Sequence, residues 1–378
     1  MIAQIDPFHA IALSREAHML EAQGRSILHM EFGQPSTGAP AAAITAAHHL
    51  LDHDPMGYWE SPALKIRIAR LYADRHGLTV DPEQILLTCG ASPGLVLALS
   101  CLFAPGARVA TARPGYVAYR NVLKALYLEP VEVGCGPATR YQMTAAALDA
   151  IDPPPQGLIL ASPANPTGTI IEPEELAAIA RVCADKGIAI LSDEIYHGLS
   201  FGAPARSVLE FAPDAVVVNS FSKYFSMAGW RLGWVVVPPA LIDAARARMG
   251  NLFLTPPSLA QHAGLAAMDC TDELEGHVAT YRRNRALLLG ALPDMGLAEI
   301  APPDGAFYVY ADVGHLTDDS LNYCRRLLHE TGVATAPGVD FDPVDGHRHI
   351  RFSFAVSTSR VEEAIARMTP WFAAQPAI

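Results

Sequence analysis

The 378-residue sequence has no uninterrupted apolar run of the ~20 residues that a membrane-crossing helix needs, so no membrane is expected as a partner. Positive charge is scarce: 27 Lys and Arg against 39 Asp and Glu leave a formal net charge of −12. A protein that tracks phosphates needs a basic face, and no Lys/Arg run supplies one, which excludes nucleic acid. The opening residues Met1-Ile2-Ala3-Gln4-Ile5-Asp6-Pro7 have neither a basic region nor an apolar stretch, so no secretory leader is expected. Cys-x-x-Cys pairs are also missing. The six cysteines (Cys89, Cys101, Cys135, Cys183, Cys270, Cys324) are scattered, as reduced thiols of a cytoplasmic protein are, and do not suggest a disulfide framework.

What is present describes a folded globule: 51% hydrophobic and 17% charged residues. The length suits one large domain and one smaller one. Candidate strands are Ile85–Thr88, Arg108–Thr111, Gly157–Ala161, Ile188–Ser192, Ala215–Asn219 and Leu232–Val237. Most are continuous apolar runs, as in strands buried on both faces of a mostly parallel sheet. Pro173-Glu174-Glu175-Leu176 opens a helix with proline and acids in its first turn, and Gly187 ends it. Repetition of such βαβ units predicts an α/β fold, a mostly parallel central sheet flanked by helices, with ligands at the carboxyl ends of the strands. Beyond about residue 285, Ala306–Tyr310 and His349–Phe354 partly alternate, which predicts a half-exposed antiparallel sheet covered by helices around Leu321–Leu328 and Arg360–Met368. The expected division is an N-terminal segment (1–45) joining the small unit, a large domain (46–285) and a smaller α+β domain (286–378).

Polar residues gather just after the strands. Ser162-Pro163-Ala164-Asn165-Pro166-Thr167-Gly168 makes a turn from which Asn165 aims an amide, although an ordinary Asn-Pro turn has the same composition. Asp193, in Ser192-Asp193-Glu194-Ile195-Tyr196, is an acid at a strand end that needs a cationic partner or several donors. Ser220-Phe221-Ser222-Lys223 sets one lysine among small hydroxyls, with Arg231 eight positions on. An amine able to form a Schiff base beside phosphate donors is what pyridoxal phosphate (PLP) requires. Thr88-Cys89-Gly90-Ala91-Ser92-Pro93-Gly94 leads from a strand into a helix, where free N–H groups suit a phosphate.

In this order the segments resemble the class I/II PLP-dependent aminotransferases of the aspartate aminotransferase fold. The matching stretches are Ala164-Asn165-Pro166-Thr167-Gly168, Asp193-Glu194-Ile195-Tyr196, Ser220-Phe221-Ser222-Lys223, Gly229-Trp230-Arg231-Leu232-Gly233 and Ile350-Arg351-Phe352-Ser353. Gly57-Tyr58, Pro114-Gly115-Tyr116 and Pro303-Asp304-Gly305-Ala306-Phe307-Tyr308 match more weakly. The resemblance implies that Lys223 forms the Schiff base and shuttles protons, and that Asp193 pairs with the ring nitrogen. It implies that Asn165 and Tyr196 contact the ring oxygen and Tyr116 stacks on the ring. Ser220, Ser222, Arg231 and the amides of Ala91 and Ser92 would hold the phosphate. Arg351 would bind the substrate α-carboxylate, with Gly33 against it, and Tyr58 would reach the neighbouring subunit of a homodimer. The chain departs from the pattern at Trp59-Glu60-Ser61-Pro62, and at Pro93, which lacks an N–H.

The implied activity is transfer of an α-amino group to a 2-oxo acid in two half-reactions. The alternatives are a C–S β-lyase of the same fold and a non-catalytic PLP-binding regulator. Gly90-Ala91-Ser92-Pro93-Gly94 also has the spacing of a hydrolase nucleophile elbow, but Pro93 stands where that elbow donates an N–H. No metal site is expected: His49 and His53 are four apart, yet no third ligand accompanies them.

Overall fold

A computed structural model describes residues 4–377. The strands are β1 (Leu28–His29), β2 (Ile85–Thr88), β3 (Arg108–Arg113), β4 (Glu129–Gly134), β5 (Gly157–Ala161), β6 (Ala189–Asp193), β7 (Val216–Ser220), β8 (Gly233–Val236), β9 (Tyr308–Asp312), β10 (Val333–Ala334), β11 (Ala336–Pro337) and β12 (His349–Ser353). Seven of them form the large sheet in the order β2-β8-β7-β6-β5-β3-β4. All its pairings are parallel except those of β8, which runs antiparallel to both β2 and β7. Every predicted strand of this sheet is present within one or two residues at each end. The strand β4 was not predicted: it is an edge strand, half-exposed and carrying Pro130, so it lacks the buried apolar run that marks the others.

Register explains why the polar segments meet. Asp193 at the end of β6 lies opposite Ala161 of β5, and Ser220 at the end of β7 lies opposite Gly233. Gly233 also pairs with Thr88, the last residue of β2. Because β8 is reversed, its first residue sits at the carboxyl edge of its neighbours. Arg231, two positions earlier, is thereby delivered to the same edge as Lys223. The helix Pro173–Lys186 forms as expected and ends where Gly187 takes a left-handed backbone, φ 66°. Among the described residues no helix is long and apolar enough to cross a membrane.

A second sheet has the order β11-β12-β9, all antiparallel, and β1 pairs in parallel with β10. The expectation of a half-exposed sheet is corrected here: β12 is buried throughout and β9 in all but its last residue. The reason is that both faces find apolar partners. Val309, Ala311, Ile350 and Phe352 join the main core, while Tyr310 and Ala336 pack with Ala10 and Phe341 on the other side. The helices Ser320–Thr331 and Thr358–Ala373 overlap the predicted segments and extend beyond them.

The long helix Thr271–Ala291 is tied to the chain leaving β12 by one buried side chain. Asn284 donates through Nδ2 to the carbonyls of Phe354 (3.1 Å) and Val356 (2.7 Å). Losing both donors strands two buried carbonyls. Asn284→Ala should therefore destabilise the protein by about 3 kcal/mol, read from the midpoint of urea unfolding. An unchanged midpoint would remove this tie from the account.

Candidate active site

A cavity of about 340 Å³ opens at the carboxyl edge of the large sheet. Its wall contains Gly33, Ala91, Ser92, Tyr116, Asn165, Asp193, Tyr196, Ser222, Lys223, Arg231 and Arg351, all of which the sequence singles out. Two expected residues lie elsewhere. Ser220 is buried beneath the wall, where its hydroxyl accepts the N–H of Ser222 at 3.0 Å. Tyr58 stands on the surface of the chain, 83% exposed.

Three side chains and a carbonyl that the sequence reading gave no role complete the geometry. Tyr119 donates from its hydroxyl to Asp193 Oδ2 at 2.7 Å. The Tyr308 and Tyr196 hydroxyls share a hydrogen bond of 2.6 Å. The guanidinium of Arg351 lies 4.4 Å from the ring centre of Tyr308 and 4.7 Å from that of Phe341. It donates to Asn165 Oδ1 (2.8 Å) and to the backbone carbonyl of Glu31. Tyr119 had a signal, being one helical turn from the start of Val117–Ala125 and three residues beyond Tyr116. A backbone carbonyl carries none.

Two glycines are required by contact. At Gly33 a Cβ would lie 2.1 Å from the Tyr308 hydroxyl, and its carbonyl accepts from Lys223 Nζ. Gly90 has φ 95°, and a Cβ there would lie 2.6 Å from Arg231 Nη2. The bare turn therefore lets the guanidinium rest against the start of the helix Ala91–Leu102. Arg231 itself adopts a left-handed backbone, φ 55° and ψ 54°, at a cost of about 1 kcal/mol.

Burial dominates the electrostatics. It pushes Lys223 down to about 8, helped by the Arg351 and Arg231 cations and opposed by Asp193. Burial raises Asp193, against the hydrogen bonds from Tyr119 and the Ile195 N–H. The next residue, Glu194, is pushed up to about 8 by burial, although it accepts from Val208 N–H, Ser207 and Ser192. Asp193, the last residue of β6, enters the cavity, while Glu194 just beyond it bonds to Ser192, Ser207 and the Val208 N–H. Burial also pushes His197, 3.4 Å from Glu194, down to about 3.

The donor set suits PLP. Arg231, Ser222 and the unpaired N–H groups of a helix start match a phosphate. Asp193 is a half-buried acid whose hydrogen-bond donors are neutral, an environment that a protonated ring nitrogen completes. Arg351 is 2% exposed with an unpartnered Nε, an environment that a carboxylate completes.

Comparison with known proteins agrees. The family model described as aminotransferase class I and II matches residues 26–368. The chain belongs to this family. It is 46% identical to the valine–pyruvate aminotransferase of Mycobacterium tuberculosis, across 99% of this chain and 98% of that protein. A crystal structure of an aminotransferase from the same organism superimposes with a TM-score of 0.96 at 46% identity, covering 99% and 98% of the two chains. The aspartate aminotransferase of Thermus thermophilus, solved with maleate, gives 0.90 at 30% identity, with 97% of each chain covered. The protein is thus an amino-acid aminotransferase with the aspartate aminotransferase fold, in a family that uses PLP.

A Lys223 ammonium near 8 has a simple consequence. Its neutral, nucleophilic form grows as pH rises through about 8, whereas an unperturbed lysine needs pH above ~10. Reductive methylation of the cofactor-free aminotransferase, followed by peptide mass spectrometry, should show Lys223 labelling with its midpoint near 8. Arg351→Gln removes a repelling cation and should move that midpoint upward. A midpoint shared with the surface lysines would refute the assignment.

Proposed function

We propose that this aminotransferase moves the amino group of a small neutral amino acid, valine foremost, to pyruvate. The observation that carries the reading is the charge inventory of the cavity. Lys223, Arg231 and Arg351 are the basic residues in its wall, and each has a task. None is left for a second carboxylate on the substrate side chain. Phe8, Phe32 and Ile195 supply apolar wall instead. The name of the Mycobacterium tuberculosis relative points to the same pair of substrates.

In this reading PLP occupies the cavity, where it supplies the electron sink for the pair left when Cα loses its proton. Lys223 would hold it through Nζ in the absence of substrate, and the same nitrogen, once freed, would carry the proton away from Cα and return it. Asp193 would balance the charge on the ring nitrogen, and the Tyr119 hydrogen bond aims that carboxylate and opposes the rise that burial causes. Tyr196 and Asn165 serve the ring oxygen, and Tyr116 its face. Arg231, Ser222 and the Ala91 and Ser92 amides hold the phosphate. Ser220 acts from below by fixing the backbone of Ser222. Arg351 takes the α-carboxylate as a planar two-pronged donor, oriented by Asn165 and the Glu31 carbonyl, with Gly33 beside it.

The division of the chain into 46–285 around the large sheet and 286–378 with 1–45 around the small one belongs to the same proposal, as does a cytoplasmic homodimer. A dimer is supported by exposed apolar residues on two adjoining segments: Met56 and Tyr58 on one loop, and Leu252 and Leu254 at and just beyond the end of the helix Ile242–Leu252. Gln261 joins those segments by donating to the carbonyls of both Trp59 and Pro256. Sedimentation at the mass of a single 40.4 kDa chain would rule it out.

The half-reaction test is spectroscopic. Burying a second carboxylate without a cation costs several kcal/mol, so valine should exceed aspartate roughly 100-fold or more in kcat/KM. Following the cofactor absorbance on adding each donor reads this directly, and equal rates would sink the neutral-substrate reading. In the same assay Lys223→Ala should slow the valine half-reaction roughly 100-fold or more while retaining cofactor.

A further inference from the structure

We propose that His18, Glu21 and His29 form a binding site for a divalent transition-metal ion of the zinc class. His18 and Glu21 are three apart on the helix His9–Ala22 and so share a face. His29 arrives from β1, beyond the turn that follows that helix. One donor atom from each of the three lies within 4.8 Å of the other two.

The hydrogen bonding around these residues leaves an unmet demand. Nδ1 of His29 lies 2.7 Å from Glu31 Oε1, and the Glu31 side chain is fully buried. Nε2 of His29 is buried without a hydrogen-bond partner, although Glu21 Oε2 is only 3.2 Å away. With Nδ1–H donating to Glu31, the Nε2 lone pair faces a carboxylate, and a cation must lie between them. A proton on Nε2 answers that need for Glu21 alone, and from an angle that makes no hydrogen bond. A metal ion answers it for His18 as well. Two ligands on a tetrahedral ion with bonds of ~2.0–2.1 Å are about 3.3 Å apart and off each other's lone-pair axis, as His29 Nε2 and Glu21 Oε2 are.

The outer contacts are those of a metal site. Glu31 behind His29 is a carboxylate–histidine arrangement that orients the ring and raises its basicity. The Ser14 carbonyl, 2.7 Å from Nδ1 of His18, holds that ring in the tautomer whose Nε2 is free to ligate. The two rings lie with centres 4.6 Å apart. Two imidazoles and one carboxylate make a set suited to zinc, with the fourth position open to water. The ion would tie the first helix to the strand whose next residues present the Glu31 carbonyl to Arg351 and the Gly33 carbonyl to Lys223. The sequence held no sign of this site because its third ligand comes from a different element.

Calorimetric titration of chelator-stripped holoenzyme with zinc chloride tests the site. One ion per chain is expected, with affinity lowered about tenfold or more in His18→Asn and in Glu21→Gln. Both side chains face solvent, so neither change threatens folding. His49→Asn should leave the affinity unchanged, since His49 stacks on His53 elsewhere on the surface. Cobalt(II) in place of zinc should give a visible ligand-field spectrum that His18→Asn alters. Absence of a saturable site, or a site indifferent to both His18→Asn and Glu21→Gln, overturns the proposal and leaves a protonated His29 between two carboxylates.

Discussion

The site is organised around a buried cation that forms no salt bridge among the described residues. Arg351 sits on β12 with 2% of its surface exposed, and its two hydrogen-bond acceptors are neutral oxygens from Asn165 and Glu31. Burying a guanidinium this way is unfavourable unless an anion completes it. Stacking between Tyr308 and Phe341 offsets part of that cost. The remainder is a standing demand for a carboxylate at one defined place. The four groups that hold Arg351 come from the loop after β5, the N-terminal segment, β9 and the turn after β11, so the demand is met only when all of these are correctly docked.

The same charge acts across the cavity on Lys223. Arg351 and burial both disfavour an ammonium there, and Asp193 counteracts only partly. The neutral amine, whose share near physiological pH this lowering increases, is the form that attacks a carbonyl or accepts a proton. One arginine therefore performs two tasks, recognising the substrate anion and keeping the lysine reactive. The placement of Glu194 protects this balance. If Glu194 entered the cavity beside Asp193, a second acid would draw the lysine back towards its charged form. Its Oε1 instead accepts from Ser192, Ser207 and the Val208 N–H, away from the cavity.

Lys223, Asp193 and Asn165 stood out as polar residues just after apolar strand runs, whereas Arg351 was marked by the family resemblance alone. Arg231 was legible through its distance from Lys223 and through the stretch Gly229–Gly233, but the reversal of β8 that brings it to the cavity edge had no sequence signature. Tyr119 and Tyr308 were given no role, since the sequence does not distinguish a ring that packs from a hydroxyl that bonds. Glu31 contributes a carbonyl, and any residue has one. The small sheet misled for a related reason: partial alternation signals two different faces, but it does not say that the second face is wet. Here it packs on Ala10 and Phe341.

Residues 28–33 show how so short a segment comes to matter at several places. Leu28 and His29 are held by pairing with β10, which fixes where the chain from Met30 to Gly33 can run. The Glu31 side chain then turns back to His29 while its carbonyl turns forward to Arg351. Two residues on, Gly33 gives its carbonyl to Lys223 and leaves no room for a Cβ against Tyr308. A displacement of this strand by about one ångström would loosen the carboxylate clamp and the lysine together, because neither contact has slack. Anything that anchors His29, whether a proton shared by carboxylates or a bound ion, therefore acts on the chemistry through backbone position and not through its own charge.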